Sequence, residues 1–155
     1  MSSVKKVKIG NIAIGGGEKI AVQSMATTKL ENVSESVAQS LRLQNAGCDI
    51  IRFSVLDEKD VKAIASVKKE ISMPLVADIH FDYRLALSCI DGGADKIRIN
   101  PGNIGGEDNV KEVAAALRGK GIPVRVGSNT GSIEKEYLEK YGRSYLSLAE
   151  SALKR

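Results

Sequence analysis

One phrase occurs twice in this chain, and it constrains how the backbone between its copies must run. Residues 46–54 read Ala-Gly-Cys-Asp-Ile-Ile-Arg-Phe-Ser, and residues 92–100 read Gly-Gly-Ala-Asp-Lys-Ile-Arg-Ile-Asn. Each copy is a glycine, any residue, an aspartate, then a short apolar run holding one arginine. Arg52 and Arg98 stand 46 residues apart, room for two strand–helix units rather than one. A second phrase interleaves with the first: Met73-Pro74-Leu75-Val76 and Ile122-Pro123-Val124-Arg125. The pattern predicts consecutive βα units with polar residues at the far ends of the strands. In parallel α/β folds that edge is where ligands bind.

Reading in order, Gly10-Asn11 between Val7–Ile9 and Ile12–Ile14 predicts an opening hairpin. Five strands are then expected: Ala21–Ser24, Ile50–Val55, Leu75–Ile79, Lys96–Ile99 and Pro123–Val126. Asn32-Val33-Ser34-Glu35 has the form of a capping box before a helix whose apolar side is Val37, Leu41 and Ala46. The next helix follows Asp57 with Val61, Ile64, Ala65 and Val67 inward, and Asp82 can cap a third over Tyr83–Ile90. Helices over Asp108–Lys120, Ile133–Tyr141 and Tyr145–Lys154 complete the chain. Two α/β solutions compete, a doubly wound sheet and part of a (βα)8 barrel. Gly15-Gly16-Gly17 precedes the first strand and matches neither a dinucleotide fingerprint nor a phosphate-binding P-loop, which favours the barrel. The expected fold is therefore α/β: a partial TIM-type barrel of about five βα units (residues 21–155) behind an N-terminal hairpin and lead-in (residues 1–20).

Composition excludes several functions. A net charge of +4 with two Phe and four Tyr offers no clustered basic face with stacking aromatics, so nucleic acid is not an expected partner. No apolar run is long enough for a membrane span. Cys48 and Cys89 read as buried, reduced thiols of a cytoplasmic protein, and two cysteines cannot supply a metal or cluster site.

The candidate site comes from strand parity, since residues two apart share a face. Arg52 with Ser54, Asp78 with His80, Arg98 with Asn100, and Arg125 with Asn129 beyond Gly127 all fall on one face. Ile51, Phe53, Ala77, Ile79, Ile97, Ile99, Val124 and Val126 fall on the other, to pack against helices. Three guanidinium groups converging on one mouth point to a phosphate or diphosphate ligand, whose oxygens match the arginine fork. A purely structural alternative pairs Arg52 with Asp78, and Arg98 with Asp95 or a carbonyl. His80, the only histidine, shares a face with Asp78, which could orient it for ligand contact or proton transfer. Gln23 and Ser24 could donate from the first strand end. Residues 101–106, Pro-Gly-Asn-Ile-Gly-Gly, read either as a phosphate cradle or as a tight turn.

The wording of the chain is more specific than its parity. Val22-Gln23-Ser24-Met25, the phrase through Arg52, residues 74–84 (Pro-Leu-Val-Ala-Asp-Ile-His-Phe-Asp-Tyr-Arg) and residues 98–105 (Arg-Ile-Asn-Pro-Gly-Asn-Ile-Gly) resemble the N-terminal domain of the 4-hydroxy-3-methylbut-2-enyl diphosphate synthase family. The resemblance implies a (βα)8 barrel that binds 2-C-methyl-D-erythritol 2,4-cyclodiphosphate, in an oxidoreductase of non-mevalonate isoprenoid biosynthesis. It implies a [4Fe-4S] cluster with ligands outside these residues, flavodoxin or ferredoxin as electron donor, and a chain inactive by itself. Arg52, Arg98 and Arg125 would then grip the diphosphate, with Asp78, His80, Asn100 and Asn129 on the substrate's hydroxyl and phosphate oxygens. Two other readings compete: a non-catalytic half-barrel that holds phosphorylated metabolites, and a barrel enzyme like dihydropteroate synthase. An open strand edge at Pro123–Val126 also predicts a homo-oligomer.

Overall fold

The computed structural model describes residues 5–100, 102–127, 131 and 133–154, and the side chains among them except those of 152 and 154. Strands rich in Ile and Val, buried on both faces, form the centre of a five-stranded parallel sheet. Its strands are β3 (Gln23–Met25), β4 (Ile50–Val55), β5 (Leu75–Ile79), β6 (Lys96–Ile99) and β7 (Val124–Val126), side by side in sequence order. A doubly wound sheet requires that order to reverse, so the open run of a barrel is the architecture present. The opening hairpin pairs β1 (Val7–Ile9) with β2 (Ile12–Ile14), as its turn residues predict. The helices are α1 (Val33–Asn45), α2 (Glu58–Glu70), α3 (Tyr83–Asp91), α4 (Glu107–Lys120), α5 (Lys135–Tyr141) and α6 (Tyr145–Lys154).

The doubled phrase has a structural job in both copies. Asp49 accepts the Val22 amide proton at 2.8 Å, and Asp95 accepts that of Leu75 at 2.8 Å. Each aspartate starts its strand by pinning the start of the strand before it, which fixes the register. Gly47 and Gly93 turn the chain out of α1 and α3 at φ +92° and +91°, and the following residues, Cys48 and Ala94, each bond back five residues at 3.0 Å. The prolines are equivalent too. Pro74 and Pro123 lack an amide proton, but their carbonyls accept from Ile51 and Ile97 on neighbouring strands.

Two apolar clusters use opposite faces of the sheet. Outward, Ile51, Phe53, Leu75, Ala77, Ile79, Ile97 and Ile99 pack with Ile64, Val67, Ala86, Ile90, Val113 and Leu117 of the helices. Inward, Ile50 and Val76 pack with Ile9, Ile12, Ile14 and Ala21. The hairpin therefore floors the inner face, and the polar strand ends stand above it.

Several local expectations need correction. The first strand is shifted to Gln23–Met25. The buried residues of α1 are Ser36 and Ser40, while Leu41 is exposed. The two hydroxyls donate to the carbonyls of Lys29 and Ser36, which makes them tolerable inside. At the start of α1 the Asn32 side chain bonds Glu35 rather than a backbone amide, so the capping box is not made. On α2 it is Ala63, not Ala65, that packs inward. Val124 and Val126 stay 42% and 41% accessible because β7 is an edge strand among the described residues.

Candidate anion-binding site on the inner strand ends

The parallel register lines up the inner face in layers. Met25, Arg52, Val76 and Lys96 form one row, and Ser54, Asp78, Arg98 and Arg125 the row above. His80 and Asn100 follow two residues further along their strands, at the rim.

Asp78 is the centre of the upper row, with its carboxylate only 3% accessible. Arg98 Nη1 donates to Asp78 Oδ1 at 3.1 Å, and Arg52 Nε lies 3.4 Å from Oδ2. The structural alternative is thus half right: Arg52 does meet Asp78, but Arg98 meets it as well. Asp95 instead pairs with Lys68 at 2.7 Å. One carboxylate shared by two permanent cations orients both forks and leaves net positive charge. Arg52 Nη2 also lies 2.9 Å from Met25 Sδ, while its buried Nε has no hydrogen bond. Gly127 gives Arg98 its room, for a Cβ there would meet Nη2 at 2.6 Å.

His80 Nε2 is 4.0 Å from Asp78 Oδ2, too far for a hydrogen bond. The expected hydrogen-bonded orientation of the imidazole by Asp78 is therefore absent; the carboxylate's hydrogen bond goes to Arg98, through Oδ1. His80 Nδ1 is buried without a partner.

Arg125 is level with Arg98 on the same face but exposed on the edge strand, and among the described residues it has no ion-pair partner. Asn100 is buried, and its Oδ1 accepts the Gly102 amide proton at 3.2 Å while its carbonyl accepts that of Asn103. Those amides are turned onto Asn100, so the glycine-rich segment behaves as a braced turn more than a phosphate cradle. Gln23 pairs in register with Ile50 and belongs to the inner face; Ser24 pairs with Ile51 and belongs to the helix side, away from the other candidates. Asn129 lies outside the described residues.

One inner-face residue escaped the sequence reading. Lys96 is buried, two residues before Arg98 on the same face. Burial, and after it the charge of Arg125, pull its ammonium below the ordinary lysine range. The parity rule that selected Arg98 also selects Lys96, but its place at the start of the strand hid it.

Comparison with known proteins agrees with this architecture. A family model described as the GcpE TIM-barrel domain matches residues 4–155. The chain is 56% identical over 149 residues to the 4-hydroxy-3-methylbut-2-en-1-yl diphosphate synthase (flavodoxin) of Thermotoga petrophila, covering 96% of this chain and 42% of that protein. It is 55% identical over 141 residues to the protein of the same name from Lysinibacillus sphaericus, covering 91% of this chain and 38% of that one. The chain thus spans about two-fifths of the length of these relatives. Among solved structures, Yersinia pestis dihydropteroate synthase superimposes with a TM-score of 0.65 at 15% identity, over 96% of this chain and 57% of that one. That likeness shows a shared fold alone. With its five strands in barrel order and its near-complete match to the family model, this chain belongs to the GcpE TIM-barrel domain family.

Proposed function

We propose that the chain is the substrate-binding part of a 4-hydroxy-3-methylbut-2-en-1-yl diphosphate synthase, acting on 2-C-methyl-D-erythritol 2,4-cyclodiphosphate. The observation that carries this reading is the excess of guanidinium over carboxylate on one face: Arg52 and Arg98 share Asp78, Arg125 stands beside Arg98, and among the described residues no second carboxylate pairs with them. In this reading Arg98 and Arg125, adjacent in register, clamp the diphosphate, and Arg52 approaches it from β4. Asp78 holds the Arg52 and Arg98 forks ready, so little side-chain order is lost when the anion arrives. His80, with its side chain 35% accessible, meets a phosphate or hydroxyl oxygen; Asn100 lies on the same face, and Asn129, outside the described residues, is a further proposed contact.

The whole enzyme would open the cyclic diphosphate reductively and expel a hydroxyl, with electrons from the flavodoxin named for the relatives. A [4Fe-4S] cluster supplies electron transfer in that chemistry. The described residues do not fit it. Cys48 Sγ faces the Val22 and Ile50 carbonyls, burial pushes the Cys89 thiol up to about 12, and no group of three ligating side chains occurs among the described residues. Cluster ligands belong to sequence outside these 155 residues, and the contribution of this chain is binding and orientation. Two buried, reduced thiols suit a cytoplasmic protein, and the open strand edge suits a homo-oligomer. No helix among the described residues is long and apolar enough to cross a membrane.

The test is turnover. The full-length gene product, reduced by flavodoxin, should convert the cyclodiphosphate to 4-hydroxy-3-methylbut-2-enyl diphosphate, and the Arg98→Ala variant should lose that activity. Equal turnover by the variant would contradict the assigned role of Arg98.

A further inference from the structure

Lys96 opens β6 and faces inward, in register with Val76 and two residues below Arg98. Val76 packs on the hairpin floor of Ile9, Ile12 and Ile14, so Lys96 stands in the deepest polar layer of the inner face. Its side chain belongs to a residue only 9% accessible, and among the described residues no hydrogen bond or ion pair holds it. The stem is packed away while no anion among the described residues compensates the head, and this burial disfavours its charged form.

The inner face divides into two halves. On the β4–β5 side, Asp78 lies against Arg52 and Arg98 and compensates part of their charge. On the β6–β7 side stand Lys96 and Arg125, and neither has an acidic partner among the described residues. Arg125 stands on the neighbouring strand one inner-face layer above Lys96, level with Arg98, and after burial its charge also weakens the hold of Lys96 on its proton. A single phosphoryl group can satisfy one such cluster, whereas a diphosphate can reach from the rim arginines to the lysine beneath them.

We propose that Lys96 is a further specificity-determining residue of this site, binding with Arg125 the deeper phosphoryl group of a diphosphate and so selecting diphosphates over monophosphates. The proposal rests on the anion-site reading above and adds to it an inner subsite. Lysine suits this place because its long stem lies along apolar neighbours while its head carries three donors.

Titration calorimetry with inorganic pyrophosphate and with inorganic phosphate tests it on the wild-type protein, Lys96→Met, Lys96→Gln and Arg98→Ala. The methionine variant keeps the length of the stem and removes only the charge; the glutamine variant serves if the methionine variant does not fold. The expected result is a loss of pyrophosphate affinity of about 10- to 100-fold in either Lys96 variant, the worth of one charged hydrogen-bonding group, with phosphate affinity nearly unchanged. Arg98→Ala should weaken both ligands. Wild-type pyrophosphate affinity in a folded Lys96 variant overturns the inner subsite while leaving the arginine site standing. Failure of the wild-type protein to bind either anion overturns both.

Discussion

At the scale of single residues, the same few side chains decide both register and binding. Asp95 accepts the amide proton of fully buried Leu75 and pairs with Lys68, so its loss strands a buried donor. Asp95→Ala should cost about 1–3 kcal/mol in urea unfolding. Asp49→Ala should cost less, because the Val22 amide that it holds can turn to water. Equal effects would contradict the register argument. Lys96 provides a test by pH. Its folded-state pKa lies below the ordinary 10.5, so the unfolded chain binds the proton more tightly than the native one. Native stability therefore gains as pH rises through that window. Without anion, Lys96→Met should be the more stable protein at neutral pH, and its advantage should shrink as pH climbs toward the ordinary lysine value. A gap that widened with pH would refute a lysine whose charged form is disfavoured by folding. These residues also mark how far sequence reasoning reached. Arg52, Asp78 and Arg98 were legible because alternation in strands is rigid. The sharing of Asp78 by two arginines, and the missing Asp78–His80 hydrogen bond, depend on side-chain reach that no periodicity encodes.

At the scale of elements, each unit is defined by its ends. Asp57 and Asp82 cap α2 and α3 through backbone amides, and the paired glycines stop α1 and α3. β7 lacks a neighbour on one side among the described residues, with Val124 and Val126 both exposed. An open apolar edge recruits further strands. Light scattering of the 155-residue chain should therefore report self-association, and Val124→Lys should reduce it; a monodisperse monomer for the unaltered chain would contradict this. β4, β5, β6 and the hairpin strands were readable to the residue, since Gly, Pro and Asp punctuate them and apolar residues recur at every second position. The inner side of α1 was not. Ser36 and Ser40 are buried by virtue of hydroxyl bonds to carbonyls that lie four and seven residues back, and apolar periodicity has no term for that. Ser24 was misjudged for a related reason: a strand that starts two residues later changes which side chains lie at its end.

At the scale of the whole molecule, a hairpin floor, a parallel sheet and an outer layer of helices leave one face where charge is concentrated and carboxylate is scarce. The helices bury one side of every inner strand, the hairpin closes the bottom of the other, and only the strand ends remain for a ligand. Barrel order is legible in the sequence, because the glycine-rich segment falls before the first strand of the sheet rather than after it. The charge imbalance could be counted in advance as well, but not its division into an Asp78 half and a Lys96–Arg125 half. The central claim is that this face is built for a diphosphate. Its most direct measurement is calorimetric titration of 2-C-methyl-D-erythritol 2,4-cyclodiphosphate at low salt into the wild-type protein and into Arg98→Ala. The account predicts saturable binding that weakens as salt rises and that the variant loses by about tenfold or more. Absence of binding to the folded wild-type protein, or equal affinity in the variant, would contradict it.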